Sequence, residues 1–206
     1  VWFNQDLKSR DYFVPGIVVN IIAIVTIILT SMSIVREKEI GTMEQLMVTP
    51  LRPIELILAK VLPFALVGLV QVTLVIGAAL AIFHTPFRGS YWVLFACAVL
   101  FLMTTLGIGL FISTISHTQQ QAMMTSFFFF MPAMLLSGFA FPIRNMPAAV
   151  QYLTYLNPVR YFMEIVRGVF LKGTGVEALW PQMVALLAIG ITVLGLSVLH
   201  FHKRLD

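Results

Sequence analysis

Arg36 to Lys60 reads REKEIGTMEQLMVTPLRPIELILAK, a polar interruption between two long apolar segments. Before it, Ile17 to Val35 runs for 19 residues without a charge. At the helical rise that is about 28 Å, close to the thickness of bilayer hydrocarbon. After it, Val61 to Phe83 is again uncharged. Two apolar helices joined by a short polar loop predict a chain that enters, leaves and re-enters a membrane, so the loop decides the fold class: all-α and polytopic.

Composition agrees. Of 206 residues, 59% are hydrophobic and 11% charged, and the mean hydropathy is +0.95. Soluble domains carry about 25% charged residues, so a soluble fold is excluded. The net charge of +4 is ordinary for loops facing anionic lipid and gives no case for nucleic acid. The single cysteine, Cys97, sits within an apolar run; it has no internal partner for a disulfide and reads as a packing residue.

Within the loop, Thr42 and Gln45 have capping-box spacing, and Pro50 bars helix at Thr49, leaving a helix of about two turns. Met43, Leu46 and Met47 fall on one face, while Glu44 and Gln45 point elsewhere. Helices shorter than about 12 residues are marginal alone in water, so this one needs a surface. Spacing leaves two surfaces open, the lipid headgroups or another protein.

Outward from the loop, Val1 to Val14 mixes charges with aromatics and reads as an interfacial segment, with Pro15 and Gly16 as the turn into the bilayer. Five spans are expected, at about 17–35, 56–83, 91–114, 122–139 and 183–199. Asn20, Thr26, Thr30, Ser31 and Ser33 in the first are expected to bond neighbouring helices. Mixed charges from Arg36 to Glu39 read as a solvated helix end, with Gly41 placed to break it. Pro53 suits the first position of the next helix, and Lys60 is placed to snorkel. The fourth span carries Phe127 to Phe130; four consecutive rings cover every side of a helix, which favours packing and lipid contact over substrate contact. Trp180 and Pro181 introduce the last span, and the short basic tail His200 to Arg204 reads as interfacial, with no metal site.

The stretch from Ala140 to Gln182 is the second informative region. Pro147 opens a helix that Asn157 and Pro158 close, and Pro158 opens another ending near Lys172 and Gly173. In that second helix Arg160, Glu164 and Arg167 stand at i, i+4 and i+7, on one face. Spacing alone fits either a surface ion-pair trio or a functional cluster at membrane depth.

The wording EKEIGTMEQLMVTPLRPIELILAK resembles the cytoplasmic loop of ABC-2-type transporter permeases, in the bacterial multidrug-export branch. LNPVRYFMEIVRGVFLKG, residues 156–173, resembles the family's re-entrant helices in the outer leaflet before the last span. The resemblance implies that Gly41, Thr42, Met43, Glu44, Gln45, Leu46, Met47, Val48, Thr49 and Pro50 form an ATPase-coupling element. It implies that Arg160, Glu164 and Arg167 belong to an outer gate. It also implies that 1–14 ends an extracytoplasmic region preceded by a further membrane helix, with 15–206 as the transmembrane domain. The expected partners are an ABC ATPase, a second permease subunit as homodimer or heterodimer, and membrane lipid, without nucleic acid. ATP and Mg would be bound in the ATPase, with no cofactor or metal in this chain, and the location would be the bacterial cytoplasmic (inner) membrane.

Charge counting does not orient the chain. Arg36, Lys38, Arg52, Lys60, Lys203 and Arg204 fall on one side and seven cations on the other. Discounting the four cations of a re-entrant 140–180 stretch favours a cytosolic 36–60 loop. No G-x-x-x-x-G-K-[ST], HExxH, GxSxG or CxxC occurs in the sequence, so this chain has no P-loop and no recognisable catalytic set. The expected function is the permease subunit of an ATP-driven exporter of a hydrophobic or amphiphilic substrate such as a drug. Export of lipid-linked polysaccharide is the nearest rival, and a non-transporting membrane scaffold is the rival of another class.

Overall fold

The computed structural model describes residues 9–41, 53–82 and 87–202, and every regular element among them is helical. The helices are α1 (Ser9–Ile40), α2 (Pro53–Ala81), α3 (Tyr91–Ile115), α4 (Gln119–Leu135), α5 (Ala148–Thr154), α6 (Pro158–Arg167) and α7 (Val176–His202), with a 3₁₀ turn at Ile143–Asn145. Four of them, at Phe13–Ile40, Val61–Ala81, Tyr91–Ile115 and Val176–Ser197, are long and apolar enough to cross a membrane among the described residues. The chain is a multi-pass membrane protein.

The helix expected at 122–139 is present, but as the 17 residues of α4. Its start is fixed by Thr118, whose side chain accepts from the Gln121 N–H at 3.1 Å. Gly138, at φ +81°, turns the chain soon after Leu135, a conformation a residue with a side chain rarely adopts.

Two expected boundaries are corrected. Pro15 and Gly16 do not form a turn; α1 is continuous from Ser9, with Pro15 inside it. One lost backbone bond in an early turn is tolerated because Val14, Val18 and Val19 are buried there and Gly16 packs against the Phe139 ring. Likewise α7 begins at Val176, before Trp180 and Pro181, with Glu177 in its first turn where an acidic group favours the helix. The ends expected at Gly41 and Gly173 hold, both in the left-handed region, and α6 finishes through a π turn at Gly168–Lys172.

The centre of the bundle is α3, which packs against α1, α2, α4, α6 and α7. Helix association in lipid relies on close backbone approach and hydrogen bonds, because the tails are as apolar as leucine. Both occur along Thr104 to Gly109. A Cβ on Gly109 would lie 2.7 Å from the Thr30 Cβ and 3.0 Å from the Ile27 carbonyl of α1. A Cβ on Gly107 would lie 3.1 Å from Leu194 and Val193 of α7. Ser197 donates to the Gly107 carbonyl at 3.0 Å, and Thr104 to the Leu186 carbonyl at 3.3 Å. Above this seam Phe101 stacks on Phe162 of α6, centroids 4.2 Å apart.

Of the polar residues in α1, Thr26 reaches Gln71 of α2 at 3.5 Å and Ser31 reaches Ser126 of α4 at 3.0 Å. Asn20 instead donates within its own helix, to the Gly16 carbonyl. Cys97 is fully buried, in keeping with a packing role. Among the four phenylalanines Phe130 is buried and Phe128 is 83% exposed, as a helix whose ring run faces both core and lipid requires.

Gly109→Ala is expected to lower the stability of the detergent-solubilised protein by about 1–3 kcal/mol, through overpacking against α1. Gly77→Ala, where a Cβ meets nothing within 4 Å, is expected to leave it unchanged or raise it by up to about 1 kcal/mol. Thermal melts of both variants check the contrast.

Candidate functional site

The bundle has a loop end, where Gly41 leads into residues 42–52, and a hairpin end, built by residues 136–173. The ATPase-coupling residues Thr42, Met43, Glu44, Gln45, Leu46, Met47, Val48, Thr49 and Pro50 lie outside the described residues, as does the Lys60 side chain. Gly41 is described, at φ +79°, with nothing within 4 Å of where its Cβ would be.

The four charges before Gly41 are more than a solvated end. Lys38 donates to the Ser113 carbonyl in the last turn of α3. Glu39 accepts from the backbone N–H of Gln119 at 3.0 Å and from its side-chain amide at 2.6 Å. Gln119 is the first residue of α4, so the cation sits at a helix C-terminus and the anion at a helix N-terminus, each matched to the helix dipole. The end of α1 is thereby tied to the turn between α3 and α4. Sequence spacing gave no sign of this, because the partners are 75 and 80 residues away.

At the hairpin end, Asn157 fixes the start of α6 and its distance from α4 together. Its Oδ1 accepts from the Val159 N–H at 3.1 Å and its Nδ2 donates to the Ala133 carbonyl at 2.6 Å. The apolar face of α6 is buried through Val159, Phe162, Met163, Ile165 and Val166. That burial turns the opposite face, with Arg160, Glu164 and Arg167, toward a cavity of about 410 Å³. The three residues read from spacing as sharing a face do line one cavity, and Arg144 of the 3₁₀ turn joins them.

Each member is held by a different neighbour. The Arg160 side chain is only 15% exposed; its Nε lies 3.6 Å from the Glu164 carboxylate. Its guanidinium sits 4.2 Å from the centroid of the Tyr155 ring and donates to the Thr154 hydroxyl. Glu164 accepts from the Gln182 amide of α7 at 3.2 Å. Arg167 donates to the Gly138 carbonyl at 3.1 Å. Hence α6 is fastened to the end of α5, to the turn after α4 and to α7. The sequence read Asn157 only as a helix boundary and did not single out Gln182 or Arg144; the bonds of Asn157 to Ala133 and of Gln182 to Glu164 join residues remote in the chain.

Three guanidiniums and one carboxylate line the cavity. Among the described residues no three His, Cys, Asp or Glu side chains converge as a metal site.

Comparison with known proteins places this architecture. The family model described as ABC-2 type transporter matches residues 1–171. The chain belongs to that family. Over its whole length it is 38% identical to the probable multidrug ABC transporter permease YbhS of Escherichia coli K12, covering 55% of that protein. It is 35% identical to the probable multidrug ABC transporter permease YbhR of the same organism, over 98% of this chain and 55% of the relative. It is 31% identical to the inner membrane transport permease YhhJ, over 98% of this chain and 54% of the relative. The chain thus spans about half the length of these relatives.

Asn157→Ala is expected to destabilise the hairpin end by about 1–3 kcal/mol, because a half-buried carbonyl and a helix N-terminus lose their partner together. Glu39→Ala is expected to speed amide exchange at residues 117–121 by about two- to fivefold, the loss of one exposed charge–helix contact. Hydrogen exchange on each variant separates the two ends.

Proposed function

We propose that this chain is most of the transmembrane part of a permease subunit in an ATP-driven exporter. The observation that carries the reading is the family match across residues 1–171, which takes in both the 36–60 loop and most of the hairpin end. The names of YbhS and YbhR favour a drug-like, hydrophobic or amphiphilic substrate, and that of YhhJ favours the bacterial inner membrane.

A separate or fused ATPase binds and hydrolyses ATP with Mg, and its closure pushes on the 42–49 segment, with the 36–60 loop facing the cytosol. A conformational signal has to reach a two-state element through physical contacts. Here the push enters α1 through Gly41 and α2 through 50–52. The contacts of Lys38 and Glu39 pass it to the α3–α4 turn. The bundle then moves as packed helices, and the ties of Arg160, Glu164 and Arg167 form the gate that yields at the outer end. A second permease copy or close relative completes the path. The exposed faces support this assignment: the apolar windows of α2 and α7 are only 22% and 17% buried, against 61% and 67% for α1 and α3.

The test uses the full-length protein with Cys97 replaced and a single cysteine at Met47, cross-linked in membranes holding the candidate ATPase. A nucleotide-sensitive cross-link is expected; labelling of that cysteine only from outside would overturn the reading. Gly41→Pro places a residue locked near φ −65° where the chain needs +79°. It is expected to abolish most export while membrane insertion is retained, and Leu46→Asp is expected to do the same. Transport and insertion assays run side by side check both.

A further inference from the structure

We propose that residues 87–90, which lead into α3, form a joint on the π turn that ends α6. Through it α3 acts as a rod, fastened to the end of α1 at one extremity and to the arginine-bearing helix at the other. The inference deepens the permease reading and rests on it for the source of the movement.

The contact is backbone on backbone. The Arg88 N–H donates to the Phe170 carbonyl at 3.2 Å. That carbonyl lies in the last turn of a helical run, where carbonyls have no partner within the helix. The earlier Gly168 carbonyl already accepts from the N–H groups of Gly173 and Thr174. Arg88 thus supplies from another segment what the π turn cannot supply itself.

Two glycines admit this approach, one from each side. A Cβ on Gly89 would lie 2.8 Å from the Val169 carbonyl oxygen, and one on Gly173 would lie 2.9 Å from that of Arg88. Main chain, unlike a side-chain tip, cannot swing aside. The joint is also seated on the core: Phe87 meets Phe170 edge to face with centroids 5.2 Å apart, and Val169 and Phe170 are fully buried.

The rod is held at both extremities. Ser90 is the N-cap of α3, so the joint runs straight into the helix. In the last turn of α3 the Ser113 carbonyl takes the Lys38 bond from α1. Between them α3 is one helix of 25 residues without proline, the usual point of bending. A π turn, by contrast, is rare and recurs at functional sites. Displacement of α3 therefore reaches Phe170 and the end of α6 directly, without passing through α4 or α7.

Hydrogen exchange on the full-length permease tests the joint. Gly89→Val, which wedges it open, is expected to speed exchange at residues 168–174 about tenfold, the loss of one such bond. Phe87→Leu is expected to do so about threefold, and it decides the matter if a melt shows Gly89→Val to be unfolded. Gly175→Ala, where a Cβ meets nothing within 4 Å, is expected to leave exchange unchanged. Unchanged exchange in the folded variants overturns the joint. The relay is tested in membranes holding the candidate ATPase, with Cys97 replaced and the single cysteine at Met47. Nucleotide is expected to alter exchange at 164–174 in the parent chain and not in the wedged variant, although the Met47 cross-link forms in both. A nucleotide response equally large in both overturns the relay. Loss of the cross-link in the parent chain would sink the exporter reading while the exchange result for the joint stands, so the two fail separately.

Discussion

The rest of the bundle depends on one stretch of α3, Thr104 to Gly109, where Gly107 and Gly109 leave room for the backbones of α7 and α1. In lipid nothing like the hydrophobic effect drives helices together, so association is set by how near two backbones can come. Gly109 lets α1 approach to its own carbonyls, and Gly107 lets α7 do the same on another side. Thr104 and Ser197 then bond across the α3–α7 seam. With α1 and α7 fixed on α3, α6 has only one place to lie. Phe162 meets Phe101 there, and the arginine face of α6 is left turned outward.

The two ends are held by unlike means. At the loop end, one cation and one anion from adjacent positions of α1 each meet a helix terminus of opposite sign. At the hairpin end, a single helix distributes its ties over α4's exit, α5 and α7. The loop end thus joins its helices through one half-buried tie and one exposed one, and the hairpin end through two half-buried ties and one exposed one.

Much of this was legible in the chain. Apolar length gave four of the five expected spans, Gly41 and Gly173 marked helix ends, and i, i+4, i+7 spacing put Arg160, Glu164 and Arg167 on one face, because all of these are local properties. What failed was also local. Pro15 and Pro181 read as boundaries, yet tertiary burial and neighbouring turns carried the helices through them. What could not be read at all was long-range. Lys38 with Ser113, Glu39 with Gln119 and Asn157 with Ala133 join residues that only folding brings together, and no periodicity encodes such pairs. The same holds for Arg144, whose place in the cavity wall comes from the turn at Gly138.

The shortness of α4 has an electrical consequence. Seventeen residues rise about 25 Å, less than the roughly 30 Å of hydrocarbon. The Gly138 turn follows it, leading into a hairpin end that carries Arg144, Arg160 and Arg167. A span shorter than the hydrocarbon is accommodated by local thinning of the bilayer or by polar groups at its ends, and where the layer thins the transmembrane voltage falls over a shorter distance and the local field is steeper. Where such thinning occurs, a charge crossing the layer meets a narrower dielectric barrier than it would through open bilayer.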